Sequence, residues 1–145
     1  MLDPGAGRPS PRGALLRDAC VQRGIATAVV TGVATTAAAA AAATVRLLEA
    51  GPRPDAVLAF NDVMALGALS ACRRAGVDVP AQVRVTGFDG LDLGELVTPT
   101  LTTVAVDLDA VADAALDLAV ALAAGAPPPD PHRSVEHRLL LRESA

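Results

Sequence analysis

Ala59-Phe60-Asn61-Asp62-Val63-Met64-Ala65-Leu66-Gly67 is the stretch that decides how this chain folds. The run leading into it, residues 55–60, shows no polar alternation, the pattern of a parallel strand covered on both faces. Asn61 is a favoured N-cap, and apolar residues then recur at helical spacing through Ala75. Gly76 occupies the usual C′ place and stops the helix. A buried strand therefore passes directly into a helix through a polar pair. A second strand, residues 83–88, ends in Asp89. In an open α/β sheet, ligands bind outside the carboxyl ends of the strands, so both junctions are candidate binding positions.

The flanking sequence continues the pattern. Residues 1–11 carry Pro4, Pro9 and Pro11 with Gly5 and Gly7, and read as a flexible leader. Leu15, Leu16, Ala19 and Cys20 give residues 12–23 a helical spacing that Gly24 ends. Residues 25–31, with Val29 and Val30, read as a short buried strand. Thr35-Thr36 caps a helix that runs through an alanine tract to Glu49, a plain reading because Ala is the best helix former. After Asp89 a Gly- and Asp-rich loop leads to Pro99 and a strand at residues 101–106.

Asp107 then caps a helix with an apolar stripe of Leu108, Val111, Ala115, Leu118 and Leu122. Gly125 and the proline cluster from Pro127 to Pro131 stop it, and residues 135–141 form a last strand. Strands alternating with helices imply a doubly wound parallel α/β sheet. The chain enters at a helix, so the pattern lacks its first strand. In the order 2-1-3-4 that strand belongs between residues 25–31 and 55–60, and its loss leaves open apolar edges. The helix from Asn61 to Ala75 carries more apolar residues than one sheet contact covers, which points to a second contact and to self-association, with Leu69 as an outward residue.

At 145 residues, 52% hydrophobic and 19% charged, the chain is globular and long enough for one domain with a real core. Its formal net charge is −4, and its basic residues are scattered, unlike the basic stripe that nucleic-acid binding needs. There is no lysine, which excludes P-loop, Schiff-base and receiver-domain lysines. No apolar run is long enough to cross a bilayer, and Met1-Leu2-Asp3-Pro4-Gly5 lacks a signal-peptide layout, so a cytoplasmic location is expected. Cys20 and Cys72 read as reduced thiols, and His132 and His137 as surface residues without metal-binding partners. No dinucleotide fingerprint, nucleophile elbow or acid–histidine–nucleophile set is present, so the sequence assigns no catalytic residue, metal or cofactor.

What it assigns instead is a convergence of polar groups at strand ends. Asp89 projects from the end of its strand, where a carboxylate accepts hydroxyl or amide donors from a sugar or a base; Asp89-Gly90 is equally a good turn dipeptide. Asn61 holds the matching place one strand earlier, with the donors and acceptor that a polyhydroxy ligand uses, and helix capping alone also explains it. Arg12 reaches the same edge if the leader folds back, and its planar fork suits anionic or polyhydroxy ligands. Asp62 fits a first-turn acid answering the helix dipole. Phe60 and Phe88, the chain's two aromatics, read as core packing.

The order of motifs resembles the sensor domain of lactose/galactose-repressor-type (LacI/GalR) transcription regulators, from about Arg12 to Ser144. The pieces are Asn61 to Ala68, Gly76-Val77-Asp78-Val79-Pro80, Val85-Thr86-Gly87-Phe88-Asp89, Thr98-Pro99-Thr100-Leu101-Thr102-Thr103-Val104, and the ending from Leu139 to Ser144. The resemblance implies a type I periplasmic-binding-protein-like fold, mainly its second lobe at 12–106, a crossover helix at 107–125, and a loop and final strand at 126–145. It implies ligand contacts at Asp89 and Asn61 and an arginine at Arg12, although Leu15 stands where relatives have Gly.

It also implies a small-molecule effector, sugar or related metabolite, homodimerisation near the helix that Asn61 opens, and a transcription-regulating role. The helix-turn-helix and first lobe of such regulators have no counterpart in this sequence, so the fragment itself is expected not to touch DNA, nor a membrane. Competing readings are a solute-binding protein of a sugar transporter and a truncated remnant that binds nothing.

Overall fold

A computed structural model describes residues 1–126 and 128–145; Pro127, expected in the loop after the last long helix, lies outside the described residues. Helices α1 (Pro11–Gln22), α2 (Ala37–Glu49), α3 (Asp62–Arg74) and α4 (Leu108–Ala123) alternate with strands β1 (Ala56–Leu58), β2 (Arg84–Asp89), β3 (Thr102–Val106) and β4 (His137–Leu140). A 3₁₀ turn, Asp92–Glu95, follows β2. The strands form one 4-stranded sheet in the order β1-β2-β3-β4. β1, β2 and β3 are parallel, with Ala56 opposite Arg84 and Asp89 opposite Ala105. The fold is the expected α/β class.

The all-parallel expectation fails at β4, which runs antiparallel to β3 from His137 opposite Val106 to Leu140 opposite Thr103. The reason is the destination of the chain's last residues. Ser144 is fully buried at the amino ends of β2 and β3, where its hydroxyl donates to the Val85 carbonyl (2.6 Å) and accepts from the Thr102 amide (2.8 Å). Reaching that point from the far end of the sheet requires a strand that descends.

The leader is not loose, and the first strand is not missing. Leu2 is fully buried and forms parallel bridges to Val30 on one side and Ala59 on the other. Its amide donates to Leu58 O (2.9 Å), the Asp3 amide to Val30 O (3.0 Å), and the Val30 amide to Met1 O (2.8 Å). Met1, Leu2 and Asp3 thus fill the place left vacant in the sequence reading. A bridge this short lies ahead of Pro4, so the proline and glycine count of the segment as a whole hid it. The short bridge also explains why residues 25–31 do not become a full strand: only Val30 finds a partner, and Ile25 stays exposed.

The core lies between the sheet and the α2–α3 pair, with Leu2, Val57, Met64, Val83, Val85 and Leu101 buried at its centre. The alanine tract is an interface as well as a helix. Ala40, Ala41, Ala43 and Thr44 are buried, and a Cβ on Gly67 of α3 would collide with the Ala37 carbonyl. Small residues on both helices let the two backbones approach. Helix α4 behaves oppositely: it buries none of its residues, and Leu108, Val111, Leu116, Val120 and Leu122 are all exposed.

Candidate functional site

The site forms at the carboxyl ends of β1 and β2, and the first residues of the chain build one side of it. Asp3 is fully buried, accepting from the amides of Gly5 (2.8 Å) and Ser10 (2.9 Å) and from the Ser10 hydroxyl (2.6 Å). Burial pushes its carboxyl up, but the Ser10 and Gly5 donors outweigh that and hold it below the ordinary Asp value of 3.8. Ser10 in turn caps α1 by accepting from the Gly13 amide (3.1 Å), with Pro11 pre-set at the first helical position. Gly13 is buried, and a Cβ there would strike the Asp3 carboxylate. Leu15, by contrast, is exposed, so this helix needs no glycine there.

This anchoring aims Arg12 at the sheet edge. Its Nη1 donates to the Phe60 carbonyl (2.7 Å), and its guanidinium carbon lies 3.7 Å from the Phe88 ring centre and 4.5 Å from that of Phe60. Both rings are half-buried; Phe60 packs against the core as expected, whereas Phe88 does not join it, which corrects the expectation for Phe88. They sit at strand ends where the sheet's cover runs out, and the guanidinium takes their faces through cation–π attraction. His137 of β4 meets Phe88 edge-on, with ring centres 5.5 Å apart at 77°. It is a surface histidine that also touches the site.

Asn61 is the N-cap of α3, and its Oδ1 accepts from the Met64 amide at 2.9 Å. That bond uses the acceptor and leaves the two amide hydrogens to donate outward. Asp89, half-buried, ends β2 at a φ of 123°, in a region that residues with side chains avoid. Burial raises its carboxyl above the ordinary 3.8, the negative charge of Asp62 raises it further, and Arg12 opposes both. A cavity of about 490 Å³ opens beside it, lined by Leu91, Ala105, Asp107, Asp109, Glu136 and Arg138 among others. Arg12 and Asn61 do not line that cavity. Arg12 lies close enough to Asp89 to influence its charge.

Asp62 is the residue that sequence reasoning undervalued. It is fully buried, accepting the Thr103 hydroxyl at Oδ1 (2.6 Å) and the Leu91 amide at Oδ2 (2.7 Å). The available signal was Gly87: a side chain there would overlap Asp62 Oδ1. No periodicity carries that information. Cys72 is buried and Cys20 half-buried, both free.

The model of the periplasmic binding protein-like domain matches residues 3–145. The chain belongs to that family. It is a sensor domain of the LacI/GalR regulator type. The lactose operon repressor of Rhizobium radiobacter is 35% identical over 74 residues, 51% of this chain and 66% of that protein. The HTH-type transcriptional repressor CytR of Escherichia coli (strain K12) is 47% identical over 60 residues, 41% of this chain and 18% of that protein. A LacI family transcriptional regulator from Arthrobacter sp. FB24, solved in complex with lactose, superposes with a TM-score of 0.89 at 36% identity. That superposition covers 99% of this chain and 56% of the Arthrobacter chain. The sensor domain therefore spans about half the length of the solved relatives it matches and a smaller share of most of the curated ones. Those relatives are transcriptional repressors, not enzymes.

Proposed function

We propose that this LacI-type sensor domain recognises a sugar-like small molecule inside the cytoplasm, with Asp89, Asn61 and Arg12 as its contacts. The observation that carries the reading is Arg12 folded back over Phe60 and Phe88 beside the Asp89 carboxylate, at the strand ends where α/β sheets hold ligands. A carboxylate, a guanidinium and the amide hydrogens of Asn61 supply acceptors and donors together, as a polyol requires. The lactose bound to the Arthrobacter regulator supports the same ligand class. Effector binding at this edge would adjust a regulator whose operator contacts lie outside these residues.

A second element of the proposal is homodimerisation through a groove formed by Leu66, Ser70 and Arg73 of α3 against Leu96, Val97 and Thr98. Leu69, expected to point outward, is buried, because it faces the core as well as the groove. Leu96 is the outward apolar side chain, 79% exposed.

Calorimetry with lactose and a panel of simple sugars tests the ligand reading, on this chain and on a chimera that joins it to the part of the Arthrobacter regulator outside the superposition. Asp89→Ala is expected to weaken binding about ten- to 150-fold, the loss that follows from removing a charged acceptor of buried hydrogen bonds. Equal affinity of the native and Asp89→Ala proteins refutes the assignment.

A further inference from the structure

We infer that Asp62 is the positioning residue of the ligand site: its carboxylate, held between the start of α3, β3 and the loop after β2, fixes where Asn61 and Asp89 stand relative to each other. The inference rests on the assignment of those two residues as ligand contacts.

The geometry is specific. Asn61 is the chain neighbour of Asp62, and Leu91 lies two residues beyond Asp89. One Asp62 oxygen accepts the Leu91 amide at 2.7 Å, and the other accepts the Thr103 hydroxyl at 2.6 Å. A single carboxylate thus ties the residue next to the ligand-facing amide to the loop that follows the ligand-facing acid, and braces both on β3. Hydrogen bonds to an ionised oxygen are short and roughly twice as strong as neutral ones, so this brace resists displacement.

Helix-dipole stabilisation, the role read from sequence, is also served by an exposed acid anywhere in the first turn. It does not account for complete burial, nor for a glycine at position 87 that leaves just enough room for Asp62 Oδ1. The charge has a second effect on the site. Asp89 is faced by Arg12 from α1 and Asp62 from α3, and Asp107, Asp109, Glu136 and Arg138 line the cavity beside it. Asp62 is therefore both the strut that places Asp89 and a negative charge that favours its protonated form.

The isosteric variant separates strut from charge. In Asp62→Asn, Oδ1 accepts from Leu91 while Nδ2 donates to Thr103, whose hydroxyl turns to accept. In Asp62→Ala both bonds are lost. The experiment measures hydrogen exchange of the Leu91 amide in the whole chain, with the Val85 amide, bonded to Ser144 O, as reference. Carbon-detected NMR titration of the Asp89 carboxyl is recorded in parallel.

Asp62→Ala is expected to speed Leu91 exchange about ten- to a hundredfold relative to Val85, the equivalent of one charge-assisted hydrogen bond. Asp62→Asn is expected to restore near-native protection while Asp89 titrates at lower pH than in the native chain. Unchanged Leu91 exchange in Asp62→Ala overturns the inference, and so does an unchanged Asp89 titration in Asp62→Asn. If Asp62→Ala does not fold, Asp62→Asn decides alone on the same two readouts. Failure of the ligand reading shows up separately, in the sugar affinity of Asp89→Ala, which leaves Asp62 untouched.

Discussion

Replacing Asp89 by glycine and by alanine isolates the backbone strain held at the proposed ligand site. Both variants lose the carboxylate, so its burial and its repulsion from Asp62 cancel in the comparison. What differs is the backbone at a φ of 123°. A side chain held in such a region costs of order 1–3 kcal/mol, and glycine pays none of it. Against this, glycine loses more freedom on folding than alanine, by roughly 0.5–1 kcal/mol. The Asp89→Gly protein is therefore expected to be more stable than Asp89→Ala by about 0.5–2 kcal/mol. With a urea dependence of about 1–3 kcal/mol per molar, that is a midpoint higher by roughly half a molar. Position 90 must itself remain glycine in both variants, since a Cβ there would lie 2.6 Å from the Ala105 Cβ. Urea unfolding followed by far-UV circular dichroism gives the answer. An alanine variant as stable as the glycine variant would falsify the claim that Asp89 is strained. Both variants are expected to lose sugar binding alike, which would make the strain a cost carried for the ligand site.

Asp89→Asn carries a pH signature. The folded-state carboxyl is raised above 3.8, so ionisation opposes folding: the penalty is absent below pH 3.8, grows as pH rises through the folded value, and is complete above it. Asp89→Asn is accordingly expected to stabilise the chain at neutral pH, with the gain vanishing in acid below pH 3.8; a gain that persists there removes the cause assigned to it. On α4, Leu116 is 63% exposed, so Leu116→Lys should change stability by no more than about 0.5 kcal/mol while reducing binding of an apolar dye. A loss of several kcal/mol on denaturation would show that α4 is packed in solution. Leu96→Arg should lower the association constant measured by analytical ultracentrifugation without shifting the melting temperature, and a native chain that stays monomeric at all concentrations contradicts the proposed dimer surface.

The sequence by itself determined what depends on local spacing. N-caps at Thr36, Asn61 and Asp107 each accept from an amide three residues ahead, a geometry closed within one helical turn. The first parallel core strand was legible from its apolar run, but the cover on both faces expected of it is not found: Val57 and Ala59 are buried while Ala56 at the start of the strand is exposed, and β2 likewise buries Val85 beside an exposed Arg84. The helical span of α4 was legible from its apolar stripe, whereas its exposure was not. The positions of Asp89 and Asn61 at strand ends were legible, and strand ends are where an α/β sheet holds ligands, which is why both are proposed as contacts.

Tertiary structure decided everything that joins residues distant in the chain. A leader rich in proline and glycine becomes a central bridge because Val30 and Ala59 stand apart by the width that Leu2 fills. Arg12 reaches the sheet edge because Asp3 and Ser10 fix the start of α1, and Phe60 and Phe88 become its cradle. β4 turns antiparallel because Ser144 must reach the amino ends of β2 and β3. Asp62 leaves the helix surface for the interior because Thr103 and Leu91, 41 and 29 residues away, offer it hydrogen bonds there. Spacing in a sequence reports the period of a helix or strand. The partner that satisfies a buried charge is set by the packing of separate elements, and no local period records it.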